Sequence, residues 1–382
     1  GPRGGPARAR NLGVAVARGD VILFLDSDVC VAPDTISRVR AAFDEDPALD
    51  ALIGSYDDAP GSKDFLSQYK NLMHCFVHQT GRRVACTFWS GCGAIRRGVF
   101  LEYSGFDEAY RRPAIEDIEL GYRLMMGHRK VILDSDLVVK HLKRWTFWGL
   151  LRTDILDRGV PWTELILRDR SMPNDLNIQL SQRVSVALVF LLLGVASVTA
   201  FSLGGAFLTP LFALLFLLLA RYWLEAAEPK SPLAVVGISA VVAALLALAW
   251  THRMYTLIPM LGLTYGLLFL PHRYSYRKGR ARTIARTAFG CFLAISVLFI
   301  LAYLPGHPLV YCFFLLLAAV IALNNQFYLF LAARRGKLFT LAAIPFHLLY
   351  HLYNGFSFAI GVARYSWRAL LARAAKRGPV VP

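Results

Sequence analysis

The sequence predicts an α/β domain over residues 1–183 followed by an all-α polytopic membrane domain, and three observations support this division. Strand and helix patterns alternate through residues 1–183. Long apolar runs with few charges fill most of residues 184–363. The chain is 56% hydrophobic and only 18% charged, whereas soluble domains have more charge and less apolar content.

The net charge of +16 is unevenly distributed, and this excludes two classes of protein. Residues 1–183 contain 24 of the 26 acidic residues and have a net charge of +1, whereas residues 184–382 have a net charge of +15. A nearly neutral first half argues against binding to nucleic acid. The high apolar content excludes an intrinsically disordered chain.

In the first half, the predicted strands and helices alternate. Helices are predicted at 7–17, 33–43, 63–79, 97–103 and 113–126, and strands at 21–25, 50–56, 88–95 and 130–134. Val21–Leu25 is a continuous apolar run, which is typical of a strand buried on both faces. The alternation predicts a mainly parallel sheet.

In the second half, hydropathy predicts a bundle of six or seven spans over residues 184–363. The spans lie near 184–203, 206–224, 232–250, 254–270, 284–304 and 308–333. Basic loops at 272–282 and 334–337 are expected on the cytoplasmic side of an inner or plasma membrane, which also places residues 1–183 in the cytoplasm. A last apolar stretch, 338–363, spans the membrane, lies in the interface or re-enters, and a basic tail follows at 364–382.

The first candidate site follows the buried strand, at Asp26-Ser27-Asp28. Open α/β sheets bind ligands beyond the carboxyl ends of their strands. Asp26 and Asp28 could hold a divalent cation, Mg²⁺ or Mn²⁺, which would in turn bind a diphosphate. An Asx turn that caps the next helix explains the same residues.

The second candidate site is Glu116-Asp117, at the start of a predicted amphipathic helix. One interpretation is a general base that removes a proton from an acceptor hydroxyl. The alternative is first-turn capping, because the helix dipole favours acidic residues there. Glu119 and Arg123 are spaced as an i,i+4 pair, which predicts an exposed ion pair.

Two further segments contain residue types that bind ligands, and cysteines and histidines occur that could bind a metal. Gly91 and Gly93 would allow the backbone to approach a ligand or would serve only a tight turn. The segment 141–148 is basic and aromatic, as expected of a diphosphate and sugar contact or of a membrane-interface belt. The six cysteines have no zinc-ligand spacing, and the pairs His74/His78 and His347/His351 lack a third ligand.

Taken in order, these motifs resemble the family 2 glycosyltransferases, which have a GT-A catalytic domain. The matching segments are Ala9–Gly13, the strand that ends in Asp26-Ser-Asp28, Ser90–Arg96, Gly105–Glu108 and Glu116–Arg123. His141-Leu-Lys-Arg-Trp145 is similar to the QxxRW motif of membrane-bound synthases, with His in place of Gln. The likeness covers most of residues 5–150.

The resemblance implies roles for individual residues. Asp117 would be the base, with Glu116 beside it. Asp26 and Asp28 would bind the divalent metal and, with Arg10 and Arg144, the diphosphate of the donor. Trp145, Gly91, Cys92 and His141 would contact the acceptor. The expected partners are a nucleotide-diphosphate sugar, a lipid or glycan acceptor and the lipid bilayer, with no nucleic acid.

The resemblance also implies that the sequence begins inside the catalytic domain, because the family has a nucleotide-binding strand and helix before the Ala9–Gly13 segment. Two other functions fit the same motifs. A transporter or scaffold with a regulatory α/β domain would use the polar residues Asn324–Gln326 within the membrane. A metal-dependent nucleotidyl- or phosphotransferase would use the same two aspartates.

Overall fold

A computed structural model describes residues 4–203 and 308–376, together with the single positions 243 and 247. The chain divides into two compact units. One combines residues 1–187 with 324–382, and the other is 188–323. The predicted spans near 206–224, 232–250, 254–270 and 284–304, and the basic loop at 272–282, lie outside the described residues.

The first unit is built around a five-stranded sheet with helices on both faces. Its strands are β1 (Val21–Leu25), β2 (Val29–Val31), β3 (Ala51–Tyr56), β4 (Cys92–Arg96) and β5 (Val131–His141). Its helices up to residue 169 are α1 (Gly5–Val16), α2 (Thr35–Glu45), α3 (Phe65–Gln79), α4 (Arg97–Glu102), α5 (Glu116–Met126), α6 (Phe147–Arg152) and α7 (Val160–Asp169). A π-helical turn, Thr153–Gly159, joins α6 to α7.

The sheet has the strand order β1-β4-β3-β5-β2, and the prediction that it is mainly parallel is wrong. Only β3 and β5 pair in parallel, whereas β1–β4, β3–β4 and β2–β5 are antiparallel. The alternation of strands and helices assumes that each helix returns the chain to the opposite edge of the sheet. Here α3 and the segment 80–91 bring the chain back to the edge where β3 ends, so β4 runs in the reverse direction.

Apolar side chains cover both faces of this sheet, as the strand patterns require. On one face, Phe24 and Ile53 pack with Phe88, Phe100 and Phe106 in one buried cluster. On the other face lies a second cluster, which contains Val39, Phe43, Leu52, Leu137 and Val139. Adjacent residues of β3, Leu52 and Ile53, therefore point to opposite faces and join different clusters.

Helix α8 (Leu180–Leu203) follows the α/β part of the chain. Within the described residues, its segment Leu180–Ser202 is the one helix long and apolar enough to cross a membrane; a second candidate exists if Pro308–Leu323 and Asn325–Arg335 are counted as one bent span. These two helices are named α9 and α10.

The C-terminal part of the chain belongs to the same compact unit as the α/β part, which differs from the predicted domain division. Helix α11 (Lys337–Lys376) includes the apolar stretch 338–363 and most of the basic tail. Arg364 and Arg368 of that tail form ion pairs with Glu164, at 2.9 and 3.1 Å. These pairs and the packing of α11 on α7 hold this segment against the α/β part of the chain.

Asn324, one of the polar residues that suggested a transport pathway, has a structural partner. It is buried and donates a hydrogen bond to the Ser185 hydroxyl, over 2.8 Å. A buried amide with such a partner needs no pathway to explain it.

Gly121 of α5 marks a close approach between that helix and the segment before β4. A Cβ at this position would overlap the backbone of Thr87 and Phe88, which are not free to move aside. We expect Gly121→Ala to lower the free energy of unfolding by about 1–3 kcal/mol. The measurement is chemical or thermal unfolding of the full chain in detergent.

Gly13→Ala is the matched control for this prediction. Gly13 is exposed in α1, and a Cβ there meets nothing within 4 Å. Alanine should therefore raise stability by about 0.5–1 kcal/mol through helix propensity. Equal effects of the two substitutions would contradict the close approach at Gly121.

Candidate active site

The ends of four strands meet at one edge of the sheet and carry the predicted motifs there. Strands β1, β3 and β5 run in the same direction, so their carboxyl ends lie at this edge. The reversed strand β4 brings its amino end to the same edge. Asp26, Tyr56 and His141 therefore lie near the turn Ser90-Gly91, and the Asp26 amide donates to the Gly91 carbonyl over 3.3 Å.

Arg10 of α1 joins the two acidic motifs. Its guanidinium donates to an Asp26 carboxylate oxygen and to a Glu116 carboxylate oxygen, at 2.7 Å each. Glu116 is buried, and its second oxygen accepts the Ala114 amide at 3.0 Å. Sequence positions 10, 26 and 116 are thus brought into one charge-assisted network.

Asp117 lines the same cavity beside Glu116, and the Ser90 turn holds it. The Ser90 amide and hydroxyl both donate to one carboxylate oxygen of Asp117, at 3.1 and 3.0 Å. Burial, followed by the negative charge of Glu116, raises the pKa of Asp117 to about 6. A carboxylate with such a pKa is suited to accept a proton near neutral pH.

Asp28 lies beyond the end of β1, opposite His141. Its carboxylate is 3.6 Å from the His141 Nε2, and its side chain is 40% exposed. The His141 ring stacks on Tyr56, with centroids 4.2 Å apart and an angle of 12° between the planes. Burial lowers the pKa of His141, against the opposing charge of Asp28, so the imidazole tends to be neutral.

Within the described residues, no group of three or more His, Cys, Asp or Glu side chains forms a complete metal site. The donor set nevertheless fits Mg²⁺ or Mn²⁺, because such ions take one or two carboxylates and complete their shell with substrate phosphates and water. Asp26 and Asp28 line one cavity, and Asp28 keeps an exposed carboxylate there. The two pairs of histidines pack within each pair, at 4.3 Å for His74/His78 and 4.5 Å for His347/His351.

The HLKRW segment is only partly brought into the site. Trp145 is buried and lines the cavity with Asp26 and Asp28, and the Lys143 ammonium lies 4.1 Å from the centre of its indole ring. Arg144 points elsewhere: its side chain is 75% exposed and 3.9 Å from Asp64. Its predicted contact with the diphosphate stays a prediction.

The two predicted acceptor residues of the SGCG segment lie in different surroundings. A Cβ at Gly91 would overlap the indole ring of Trp89, so glycine is required for this turn. Cys92 is fully buried, and its side chain packs in the core with Ala94 and Leu137. Burial raises the pKa of the Cys92 thiol to about 12. Neither residue lines the cavities described below, and their predicted roles also stay predictions.

The expectation that Glu119 and Arg123 form an exposed pair is wrong. Glu119 is buried, and it accepts hydrogen bonds from Arg123 at 2.7 Å and from Arg168 at 3.2 Å. Arg123 also donates to the carbonyls of Tyr103 and Gly105. The i,i+4 spacing identifies the pair, but it does not reveal that α7 and the turn after α4 cover it.

Three cavities meet around these residues. The acidic cavity, of about 390 Å³, is lined by Arg10, Asp26, Glu116 and Asp117. The strand-end cavity, of about 470 Å³, is lined by Asp26, Asp28, His141 and Trp145. The apolar cavity, of about 390 Å³, lies among α3, α7, α8 and α11. His74 and Arg158 line all three.

Sequence reasoning missed Ser90, His74 and Arg158 as site residues. Ser90 begins the matching segment Ser90–Arg96, so the sequence did indicate its neighbourhood, although not its contact with Asp117. His74 was noted only for its spacing with His78, and Arg158 lies in a π-helical turn, which has no clear sequence signal.

A comparison with family models agrees with the family resemblance that the motifs in the N-terminal part of the chain indicate. Residues 1–104 match the family described as Glycosyl transferase family 2, which is about a quarter of the chain. This match supports the resemblance drawn from the motifs of that segment. A search of curated proteins gives no match.

Two of the solved structures that match this chain contain a nucleotide or nucleotide sugar and Mn²⁺. GalNAc-T7, solved with UDP, GalNAc and Mn²⁺, is 18% identical over 43% of this chain and 35% of its own, with a TM-score of 0.31. The mannosyltransferase PcManGT from Pyrobaculum calidifontis, in complex with GDP-Man and Mn²⁺, is 15% identical over 72% of this chain and 67% of its own, with a TM-score of 0.32. This chain therefore spans about a third of the first protein and two thirds of the second.

Proposed function

We propose that the protein is a membrane-bound, inverting glycosyltransferase that moves a sugar from a nucleotide-diphosphate donor to a lipid-linked or membrane-proximal glycan acceptor. The observation that carries this proposal is the network of Asp26, Arg10 and Glu116 beside Asp117, at the ligand-binding edge of the sheet. The family match of residues 1–104 supports the donor class.

In the proposed mechanism, Asp26 and Asp28 would hold a divalent cation, which neutralises negative charge on the donor diphosphate when bound. Arg10 fixes the orientation of Asp26. Asp117 accepts the proton of an acceptor hydroxyl, and the hydroxyl oxygen bonds to the anomeric carbon. The bond from that carbon to the diphosphate breaks, and its electron pair leaves with the nucleoside diphosphate. One displacement inverts the anomeric centre.

The experiment measures the release of nucleoside diphosphate by the purified full chain in detergent, across a panel of UDP- and GDP-sugars with Mn²⁺. We expect turnover to stop in EDTA. Because the loss of one carboxylate weakens metal binding, Asp28→Asn should raise the Mn²⁺ concentration for half-maximal rate by about tenfold or more. Asp136→Asn, at an exposed position of β5, is the matched control. Unchanged turnover in EDTA would contradict the proposal.

A further inference from the structure

The apolar cavity contacts both the catalytic edge and the helix most suited to a membrane. It shares His74, Arg158, Trp162 and Asn177 with the acidic cavity, where Asp117 lies. Its other walls include Arg183, Val186 and Ala187, from the first turns of α8. Because α8 contains the candidate membrane span Leu180–Ser202, the cavity extends from the N-terminal end of that span to the proposed site of transfer.

The walls of this cavity combine an apolar surface with positive charge. The apolar lining includes Met73, Trp162, Ile166, Met172, Ile178 and Phe358. The positive groups are Lys70, Arg158 and Arg183, and the only carboxylate among the described residues of the lining is Asp154. Apolar walls of this kind accept hydrocarbon, while fixed cations attract an anionic head group.

The single carboxylate of the lining neutralises only one of these cations. Lys70 donates to Asp154 over 2.6 Å, and both side chains are buried. Arg183 donates to the carbonyls of Met172, Pro173 and Ile178 and has no carboxylate partner within the described residues. Two positive charges therefore remain in the lining.

Arg158 is the cation at the junction of the cavities. In the described part of the chain it forms neither a hydrogen bond nor an ion pair. The π-helical turn that carries it is fixed by α11, because the Tyr353 hydroxyl donates to Asp154 over 2.6 Å and Gly159 lies against Ser357. An arginine on a fixed turn whose guanidinium has no hydrogen-bonded partner is suited to bind a phosphate group.

We propose that the apolar cavity binds the acceptor, a long-chain lipid phosphate, with its hydrocarbon chain among Trp162, Ile166 and Ala187 and its phosphate on Arg158. This inference rests on the proposed function and names its acceptor class. With a lipid monophosphate, a phosphate oxygen attacks the anomeric carbon and the donor bond breaks toward the nucleoside diphosphate, so no proton is transferred. With a glycan on a lipid diphosphate, a sugar hydroxyl attacks and Asp117 accepts its proton.

The test measures direct binding of radiolabelled polyprenyl phosphate to the full chain in phosphatidylcholine nanodiscs, without any donor. We expect polyprenyl phosphate to bind at least about tenfold more tightly than polyprenol or a short water-soluble alkyl phosphate, because each lacks one of the two required contacts. Equal binding of polyprenol or of the short phosphate would overturn the proposal.

Variants locate the site. Ile166→Trp on α7 and Ala187→Trp on α8 fill the cavity from different sides, and each should weaken binding about tenfold or more. Arg158→Gln should abolish the preference for polyprenyl phosphate over polyprenol. Leu156→Trp, an exposed position on the same turn, is the control for folding and should bind normally. Unaltered binding by both tryptophan variants would overturn the inference.

The lipid binding assay also separates this inference from the proposed function. Tight, cavity-dependent lipid binding without any metal-dependent use of a nucleotide sugar would support the lipid site and refute the transferase. Metal-dependent release of nucleoside diphosphate without cavity-dependent lipid binding would support the transferase and refute the lipid site.

Discussion

Asp117→Asn should lower the rate of sugar transfer to a hydroxyl acceptor by about 10³–10⁴-fold, within the range that general-base catalysis contributes. The asparagine retains the hydrogen bonds from the Ser90 amide and hydroxyl but cannot accept a proton. Donor affinity should remain close to that of the wild type. The measurement is steady-state transfer by the full chain, with nucleotide-sugar binding measured separately.

The pH dependence of the wild type provides a second readout of the same group. The ionised form of Asp117 is the active one, and burial with the charge of Glu116 raises its pKa to about 6. Transfer should therefore rise with pH through about 6 and level off above it, and Asp117→Asn should lack this step. Transfer that is independent of pH between 5 and 7 would exclude Asp117 as the base.

A stability measurement controls for misfolding of this variant. A carboxyl group whose pKa is raised on folding stabilises the native state at pH values below its unfolded pKa. For Asp117 this stabilisation is lost as the pH rises through its native pKa of about 6. At neutral pH the native state therefore holds a disfavoured charge, which asparagine removes. Asp117→Asn should unfold at the same temperature as the wild type or higher, so a lower unfolding temperature would point to a structural cause of inactivity.

Lys70→Met should lower the free energy of unfolding by about 3–5 kcal/mol, because it leaves a buried carboxylate without its cation. The side chains of Lys70 and Asp154 are both almost fully buried, and the Lys70 Nζ lies 2.6 Å from the Asp154 Oδ2. Burial tends to raise the pKa of Asp154, but the charges of Lys70 and Arg158 and the hydrogen bonds hold it below its ordinary value. The measurement is chemical unfolding of the full chain in detergent.

Two variants test whether the cost comes from the buried pair. Lys70→Met combined with Asp154→Asn removes both charges while keeping an acceptor for the Tyr353 hydroxyl, and it should recover most of the loss. Lys140→Met removes an exposed cation 3.5 Å from Asp57 and should cost less than about 1 kcal/mol. If the double variant is as unstable as Lys70→Met, the ion pair is not the cause.

Much of the α/β part of the chain could be predicted from local patterns. The apolar run Val21–Leu25 is β1 as predicted, and the predicted helices at 33–43 and 63–79 correspond to α2 and α3 with small shifts at their ends. The predicted strand 88–95 begins only at Cys92, because Phe88–Gly91 form the turn beside Asp117. The edge strand Val29–Val31 was missed, since three residues are too few to show a period.

The direction and order of strands could not be predicted, because these depend on contacts between distant segments. The antiparallel β4 is the clearest case, since its register with β1 and β3 is invisible in the local pattern. For the site, the motifs indicated Asp26, Glu116 and Asp117, but not that Arg10 connects the first two. The position of Arg158 depends on α11, nearly 200 residues later in the chain, and no local signal encodes such a contact.

The hydrogen bonds to Asp154 have a consequence for how the protein is made. Its two side-chain partners, Lys70 and Tyr353, are separated from it by 84 residues on one side and 199 on the other. A ribosome delivers Lys70 and Asp154 long before Tyr353, and contacts between such distant segments form slowly. The π-helical turn that carries Asp154 therefore lacks its contacts with α11 until the intervening apolar segment has been synthesised.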